Sequence, residues 1–436
     1  MAKIITPKIL PGFMELLPPE QILFNKIKDT IREVYESFGF LPLDTPTIEY
    51  SEVLLAKAGG ETEKQIYRFN KGDNDLSLRF DLTVPLARYV AQHRNDLNFP
   101  FKRYQISKVF RGERPQKGRF REFYQCDIDI IGSETLSLVY DAEMPAVIYN
   151  VFKKLNIGAF KIKLNNRKIL NGFFEDLGLE DKTADILRVI DKIEKIGAEN
   201  VREELVKLGA EKQADEIMGF VSTSGTPAEK LEKLKALSVD NPKFSEGVEE
   251  LEKVTEFLKT FGVDEDYFDI ELTIARGLDY YTGTVYETVL TDYPSLGSVC
   301  SGGRYDNLAE YYTKQKLPGV GVSIGLTRLF SQLRENGIIT SDSLSTAKAL
   351  LLPMNEGCIP YALKAATALR DSGTAADIFY GGKNMKQKMK YADRSGISFA
   401  LILGEDEVNN QTITVKNMKT GEQQSISFDN LANFFA

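Results

Sequence analysis

The sequence predicts an α+β protein with a strand-rich region, a helical insertion and a separate small α/β domain. From Leu76 to Gly132 the signals are mostly those of strands and turns, and strand signals return at residues 269–290. Between about Gly172 and Asp264, Lys, Glu, Ala and Leu dominate, and isoleucines recur at helical spacing. Beyond a polar stretch at residues 338–346, apolar strands alternate with helical segments, which is typical of an α/β domain.

These changes in character predict the domain boundaries. We expect the first part of the main domain at residues 1–165 and the helical insertion at residues 166–264. The second part of the main domain follows at residues 265–338, and the small α/β domain occupies residues 347–436.

Composition narrows the class of protein. The net charge of −8 argues against a generally basic nucleic-acid binder, so any such contact must use local patches. His93 is the single histidine, which argues against a Ser/His/Asp triad and against a multi-histidine metal site. The three cysteines lie far apart and form no metal or redox spacing. Without a signal peptide or a long apolar run, the sequence predicts a cytoplasmic protein with no membrane partner.

The N-terminal region predicts a helix followed by an edge strand. Apolar residues recur at helical spacing from Leu23 to Phe38, and Gly39 follows as a stop signal. Residues 40–48 then read as an extended segment with two prolines, Pro42 and Pro46. Because proline cannot donate to a ladder, this segment should lie at a sheet edge or an interface.

A basic hairpin is the most informative stretch. Residues 110–125 place five Arg or Lys side chains between two predicted strands, and Pro115 and Gly118 mark a bend. The return strand alternates: Phe123, Gln125, Asp127 and Asp129 share one face, and Tyr124, Cys126, Ile128 and Ile130 share the other. Arginines above such a polar face suit a triphosphate and an amine-bearing small molecule. An exposed strand with a solvated face explains the alternation equally well.

Three further segments carry polar groups in unusual patterns. Residues 79–85 place Asp81 and Thr83 two apart, on one strand face or as a helix N-cap. Residues 273–283 place Arg276, Tyr280 and Tyr281 between glycines, which a plain turn does not require. Residues 319–328 form a glycine-rich passage from strand to helix, a pattern that close packing also produces, and they match no P-loop or dinucleotide motif.

With these segments in place, the chain resembles the class II aminoacyl-tRNA synthetases, and among them the histidyl-tRNA synthetase family. The Pro46 segment resembles motif 1, residues 110–125 resemble motif 2, and residues 319–328 resemble motif 3. Residues 276–283 and 301–306 resemble the histidine-specific motifs, and the match runs from about Pro11 to the C-terminus. The resemblance implies an α+β catalytic domain built on an antiparallel sheet, a helical insertion and a C-terminal α/β anticodon-binding domain.

Two segments depart from the family pattern. Residues 11–14 lack the arginine and aspartate usual after the first glycine, which puts the N-terminal packing in doubt. Asp81-Leu82-Thr83 stands where many members have Glu-Gly-Thr, so an acid and a threonine are kept.

The resemblance also implies the chemistry: ATP-dependent activation of L-histidine and its transfer to tRNA(His) by a homodimer, with Mg²⁺ and with no assigned protein ligand for the ion. For ATP it implies Arg111 at the α-phosphate, Glu113 at the adenine amino group, Phe123 stacked on adenine, and Arg119 and Arg328 at the outer phosphates. For the α-ammonium of histidine it implies Asp81, Thr83 and Gln125. For the imidazole it implies Asp129 and Tyr281, with Tyr280 adjacent. Arg276 would contact both the histidine carboxylate and the α-phosphate. Arg276 and Arg111 would be the catalytic residues.

The residues fit that reaction. A carboxylate that attacks the α-phosphate is already ionised, so catalysis requires orientation and cations rather than an acid–base residue. Three alternatives stay open: a non-catalytic regulatory subunit of ATP phosphoribosyltransferase, a class II synthetase for another amino acid such as proline or threonine, and a pure binding module. In the last domain, Lys383, Lys386, Lys388 and Lys390 predict either a phosphate-contact patch for tRNA or a solvated helix face.

Overall fold

The computed structural model describes residues 5–56, 61–114, 118–190, 192–274, 281–341, 344–381 and 384–435. The chain divides into two compact units, one formed by residues 1–14 and 27–339 and the other by residues 15–26 and 340–436. Within the described part of the chain, no helix combines the length and the apolar character needed to cross a bilayer.

The strands form three sheets. In chain order they are β1 (Leu41–Pro42), β2 (Ile48–Tyr50), β3 (Arg68–Lys71), β4 (Asn74–Leu78), β5 (Phe101–Phe110), β6 (Glu122–Ile131), β7 (Phe160–Asn166), β8 (Phe268–Ile270), β9 (Thr284–Leu290), β10 (Ser298–Tyr305), β11 (Gly319–Ile324), β12 (Ala349–Pro353), β13 (Ala376–Ile378), β14 (Phe399–Leu403), β15 (Thr412–Asn417) and β16 (Gln423–Ser427). The largest sheet has the order β1-β5-β6-β11-β10-β9-β7-β8. Its strands are antiparallel except for a parallel pair at each end, β1 with β5 and β7 with β8.

The helices are, in chain order, α1 (Pro18–Ser37), α2 (Ser51–Leu55), α3 (Glu61–Gln65), α4 (Thr83–Gln92), α5 (Val139–Leu155), α6 (Arg167–Asp176), α7 (Thr183–Ile190), α8 (Ile193–Ile196), α9 (Ala198–Lys207), α10 (Ala214–Val221), α11 (Pro227–Lys235), α12 (Pro242–Thr260), α13 (Leu326–Glu335), α14 (Ile359–Asp371), α15 (Met385–Arg394), α16 (Glu405–Asn410) and α17 (Leu431–Phe435). The predicted N-terminal helix is therefore confirmed. Its buried apolar face includes Ile31 and Val34, and Gly39 follows it at a φ of +77°, a conformation that glycine adopts without strain.

The extended segment at residues 40–48 divides between two sheets. β1 lies at the edge of the eight-stranded sheet, as its proline predicts. β2 instead pairs with β4 in a separate three-stranded sheet of order β2-β4-β3. The edge position is confirmed, whereas the single strand is not, because residues 43–47 between β1 and β2 form no ladder.

Helices α6 to α12 fill the chain between β7 and β8. The first and last of them cross closely at two glycines. A Cβ on Gly172 would lie 2.5 Å from the backbone nitrogen of Phe244, and one on Gly247 would lie 2.7 Å from that of Ile169. The chain between β7 and β8 thus consists mainly of helices, as predicted for the insertion. The exact boundaries of the insertion stay a prediction.

The second unit contains the five-stranded sheet β13-β12-β14-β15-β16. β12 runs parallel to β13 and β14, and β15 and β16 are antiparallel additions. Leu351 and Leu401 pack with α14 on one face, and Leu350 and Leu352 pack with Ala392 of α15 on the other. Because both faces of β12 and β14 are covered, these two strands are apolar throughout, as the sequence predicts for an α/β domain.

A candidate active site at the centre of the large sheet

The polar face of β6 lies at the bottom of a cavity of about 470 Å³. Phe123, Gln125 and Asp127 line it, whereas Ile128 and Ile130 are completely buried on the opposite face. The alternation predicted for this strand is therefore confirmed, and the interpretation as an exposed, solvated strand is wrong.

Four other segments complete the cavity wall. They are the start of α4, the loop between β5 and β6, the region of β9 and β10, and the passage from β11 to α13. The lining residues from these segments are Asp81, Thr83, Arg111, Glu113, Gly118, Arg119, Phe120, Tyr281, Ser298, Val299, Cys300, Ser301, Ser323, Gly325 and Arg328.

Asp81 and Gln125 each present an acceptor atom without a partner. Asp81 Oδ1 accepts a hydrogen bond from the Val84 backbone N–H at 3.1 Å, at the start of α4, while its Oδ2 has no partner. Gln125 Nε2 donates to Ser323 Oγ at 3.0 Å, which leaves Gln125 Oε1 as the unpaired acceptor. Burial raises the pKa of Asp81 to about 6, against the hydrogen bond from Val84 and the charge of Arg111.

Asp127 is a third acceptor of this kind. Its residue is only 3% exposed, and its Oδ1 has no hydrogen-bond partner. A hydrogen bond with Ser323 engages the carboxyl group, and burial raises its pKa to about 7 although the charge of Arg103 opposes the shift. A buried acceptor without a donor is costly, so it indicates a place that a ligand completes.

Asp129 lies in a smaller, adjoining pocket that Thr83 and Tyr281 also line. Its Oδ2 forms an ion pair with Arg103 at 2.6 Å, and its Oδ1 accepts the Tyr305 hydroxyl at 2.6 Å. Burial raises the pKa of Asp129, and Arg103 and Tyr305 limit the shift. The carboxylate also explains a glycine of the motif 3 segment, because a Cβ on Gly321 would overlap Asp129 Oδ1.

A second buried ion pair lies beside the site. Arg304 Nε donates to Asp141 Oδ1 at 3.0 Å, and Arg304 Nη2 donates to Asp141 Oδ2 at 2.6 Å. Burial alone would lower the pKa of Arg304, but the hydrogen bonds and charge of Asp141 raise it above its ordinary value. The pair ties β10 to α5 and so fixes the strand that carries Ser301 into the cavity.

The arginines of the cavity come from the loop between β5 and β6 and from α13. Arg111 Nε donates to the Phe80 carbonyl at 3.0 Å, and its guanidinium lies 5.2 Å from the centre of the Phe123 ring. Arg119 Nη1 and Glu113 Oε2 form a 3.3 Å ion pair, with the Arg119 side chain 63% exposed. Such an exposed pair contributes about 0–1 kcal/mol, so a ligand can separate it at little cost.

Two predicted residues, Arg276 and Tyr280, lie outside the described residues. The other predicted site residues line the cavity or, for Asp129, the adjoining pocket. The sequence prediction left out several lining residues. A sequence pattern could have identified two of them, because Asp127 shares the β6 face with Gln125 and Ser323 lies within the glycine-rich passage. Among the described residues, no group of three His, Cys, Asp or Glu side chains is placed to hold a metal ion.

The cavity therefore brings arginines together with buried, unpaired acceptors. This arrangement suits a ligand pair that carries phosphates and an ammonium group. The family model described as "Histidyl-tRNA synthetase" matches residues 12–329, most of the chain that builds this cavity. The chain belongs to the histidyl-tRNA synthetase family. The model described as "Anticodon binding domain" matches residues 348–436.

Individual relatives agree with the family over the whole length. The chain is 60% identical over 428 residues to the histidine–tRNA ligase of Clostridium tetani. The matched region covers 98% of this chain and 97% of that protein. The crystal structure of histidyl-tRNA synthetase from Nostoc sp. PCC 7120 is 43% identical, with a TM-score of 0.92 and 99% coverage of both chains.

A more distant structure is that of an ATP phosphoribosyltransferase regulatory subunit/histidyl-tRNA synthetase from Bacillus halodurans C. It is 23% identical, with a TM-score of 0.75 and coverage of 89% of this chain and 97% of that one. At 23% identity, the likeness shows a shared fold and says nothing about activity.

Proposed function

We infer that this protein is a histidine–tRNA ligase, which activates L-histidine with ATP to histidyl-adenylate and transfers it to tRNA(His). The observation that carries the inference is the cavity itself, in which buried, unpaired acceptors and arginines line one wall. An acceptor that is buried without a donor is tolerated where a ligand supplies the donor.

At the amino-acid end, we propose that Asp81, Gln125 and Thr83 bind the α-ammonium. Asp81 Oδ2 and Gln125 Oε1 are the unpaired acceptors, and the hydroxyl oxygen of Thr83 would be the third. Three acceptors match the three donors of an ammonium group. Hydrogen bonds with Val84 and Ser323 hold Asp81 and Gln125 in place, so these side chains lose little conformational entropy when the ligand binds.

At the imidazole, we propose Asp129 and Tyr281, with Tyr280 adjacent. Asp129 and Tyr281 line one small pocket, which supports a placement of the ring between them. A ring with one N–H donor and one nitrogen acceptor requires an acceptor and an adaptable hydroxyl. A side chain without the donor and acceptor of the imidazole would lose these hydrogen bonds in a buried pocket, which gives discrimination on the order of 10⁴-fold or more.

At the nucleotide end, Arg111 would bind the α-phosphate, and Arg276 would bridge that phosphate and the histidine carboxylate. Glu113 and Phe123 would bind adenine, and two exposed arginines, Arg119 and Arg328, would hold the outer phosphates. The histidine carboxylate attacks the α-phosphorus, pyrophosphate leaves, and the cations stabilise the charge on the five-coordinate phosphorus. Mg²⁺ would accompany the ATP phosphates, since it commonly keeps phosphate and water ligands.

We propose that the C-terminal domain, residues 347–436, contacts tRNA(His) in the cytoplasm. Lys386 and Lys390 are exposed on α15 and support this role. Lys388 does not belong to such a patch: it is buried, its Nζ donates to the Pro353 carbonyl at 2.7 Å, and burial lowers its pKa. Lys383 lies outside the described residues.

We also propose a homodimer through the motif 1 region. Leu41 of β1, Ile48 and Tyr50 of β2, and Phe69 of β3 are large apolar side chains that are exposed in the single chain. Ile48, Tyr50 and Phe69 belong to one three-stranded sheet. Exposed apolar residues on short strands mark an interaction surface, and a two-fold dimer would cover the same surface on both copies. Sedimentation at micromolar concentration should give twice the monomer mass; a monomer at that concentration would exclude this assembly.

Amino-acid-dependent exchange of pyrophosphate into ATP tests the activity directly. Histidine should support exchange, whereas proline, threonine and the other amino acids should not, because only an imidazole satisfies the ring pocket. Exchange that depends on another amino acid, and not on histidine, would show that histidine is not the substrate. Absence of exchange with every amino acid would favour the regulatory alternative or the pure binding module.

A further inference from the structure

Asp127 is a buried acceptor that the roles above leave without a function. It lies on β6 between Gln125 and Asp129, and it lines both the main cavity and the small pocket. On the neighbouring strands it is opposite Gln105 of β5 and Ser323 of β11. It therefore lies where the ammonium end of the site meets the ring end.

The two ends differ in which acceptors are already engaged. In the small pocket, protein groups engage both Asp129 oxygens: Oδ1 accepts a hydrogen bond from the Tyr305 hydroxyl, and Oδ2 forms an ion pair with Arg103. Asp127 Oδ1 is the carboxylate oxygen of that pocket that has no partner. Asp81 and Gln125, whose unpaired oxygens would serve the ammonium, do not belong to the small pocket.

We propose that Asp127 determines specificity for the imidazole ring by accepting its N–H through Oδ1, while Asp129 positions the pocket floor through Arg103 and Tyr305. The proposal rests on the function inferred above. It revises the ring contact given there: Asp127, rather than Asp129, would contact the ring directly, and Asp129 would hold the pocket in shape. The other ring nitrogen would then accept from a hydroxyl, for which Tyr281 is placed in the same pocket.

Charge supports this division. The charge of Asp129 raises the pKa of Asp81 and of Asp127, and the buried guanidinium of Arg103 lowers the pKa of all three carboxyl groups. Burial raises the pKa of Asp127 to about 7, although the charge of Arg103, which forms its close ion pair with Asp129, opposes the shift. A ring N–H would restore its ionised form and gain a charge-assisted hydrogen bond.

Two matched variants and one pair of ligands test the proposal. Asp127→Asn and Asp81→Asn each remove one charge and keep the side-chain shape. The ligands are L-histidine and 3-(imidazol-4-yl)propanoate, which keeps the ring and carboxylate but lacks the amino group. Binding of both is measured by calorimetry, and the KM for ATP and thermal unfolding report on the folded state.

Asp127→Asn should weaken binding of both ligands by a similar factor, about tenfold or more. Asp81→Asn should weaken histidine only, since the second ligand brings no ammonium. If Asp127→Asn weakens histidine but leaves the propanoate unchanged, Asp127 serves the ammonium and the proposal is wrong; unchanged binding of both ligands also overturns it. Failure of the wild type to bind histidine would instead contradict the proposed function.

A measurement with Asp81→Asn replaces Asp127→Asn if the latter does not fold. The ligand is 3-(1,2,4-triazol-3-yl)alanine, whose ring keeps an N–H and stays neutral through the physiological pH range. Because Asp81 no longer titrates in this variant, a rise of affinity as pH passes about 7 is expected from the ionisation of Asp127. An affinity of Asp81→Asn that does not change with pH would contradict the proposal.

Discussion

Two sets of buried polar groups lie close together in the first unit, and they are built in opposite ways. In the acceptor set, Asp81, Gln125 and Asp127 each keep one oxygen without a partner. In the paired set, Asp141 is bound by Arg304 and Asp129 is bound by Arg103. All four side chains of the paired set are at most 9% exposed, so burial alone does not distinguish the sets.

The difference separates binding from scaffolding. An unpaired buried acceptor lowers the stability of the free protein, whereas a buried charge with its partner is costly only when the partner is removed. We therefore expect substitutions in the acceptor set to change ligand binding, and substitutions in the paired set to change the free energy of unfolding.

The largest effect should come from breaking the paired set. Asp141→Asn removes the buried carboxylate from Arg304 and leaves it with the more exposed Asp306, 3.7 Å away, which should lower the free energy of unfolding by about 3–5 kcal/mol. Urea denaturation measures this loss. Asp185→Asn is the matched control, because its partner Arg188 is exposed and the pair should contribute less than about 1 kcal/mol. Equal losses in the two variants would contradict the structural role given to Asp141.

Substitution of Arg111 should change the rate of amino-acid activation rather than the free energy of unfolding. Arg111→Lys keeps the charge but loses the forked geometry, so pyrophosphate exchange should slow by about 10²-fold or more. Arg188→Lys, in the helical insertion, is the control and should leave exchange unchanged. An unaltered rate in Arg111→Lys would remove Arg111 from the transition state.

Asp81→Asn should show the reverse of Asp141→Asn. The KM for histidine should rise by about tenfold, because a charged hydrogen bond to the ammonium is lost. The free energy of unfolding at neutral pH should stay constant or rise, since asparagine also suits the start of a helix and carries no buried charge. A loss of stability comparable with that of Asp141→Asn would place Asp81 in the paired set.

The pH dependence is the smallest of these effects. Because the folded pKa of Asp81 is raised to about 6, the free protein binds its proton more tightly than the unfolded chain does, and stability falls as pH rises from about 4 to 6. An ammonium favours the ionised form, so histidine affinity should rise at least about fourfold from pH 5.5 to 7.5. The ratio of wild-type to Asp81→Asn affinity removes the titration of histidine itself. A ratio constant with pH would exclude Asp81 as the titrating group.

The acceptor set was largely predictable from the sequence, and the paired set was not. The period of two along β6 places Gln125 and Asp127 on one face, and this depends on local geometry alone. Asp141 and Arg304 are 163 residues apart, on a helix and a strand, so their pairing depends on the tertiary fold. The Arg103–Asp129 pair depends on the register of β5 and β6, which the long loop between them leaves undetermined in the sequence.

The lysines of α15 carry a signal that the predicted phosphate-contact patch overlooked. Lys386 and Lys388 are two residues apart, and at 3.6 residues per turn they point to nearly opposite sides of α15. Lys386 is exposed and Lys388 is buried, as that geometry requires. Helical spacing alone is therefore sufficient to assign the two lysines to different faces.

Thermal unfolding of the wild-type protein with two ligands tests the central claim most directly. The claim is that two members of the acceptor set, Asp81 and Gln125, bind the ammonium of the amino acid. L-histidine and 3-(imidazol-4-yl)propanoate at equal concentration share a ring and a carboxylate, and only histidine carries the ammonium. Histidine should raise the unfolding temperature clearly more, because a ligand stabilises the folded state according to its affinity. Equal shifts with the two ligands would contradict the account.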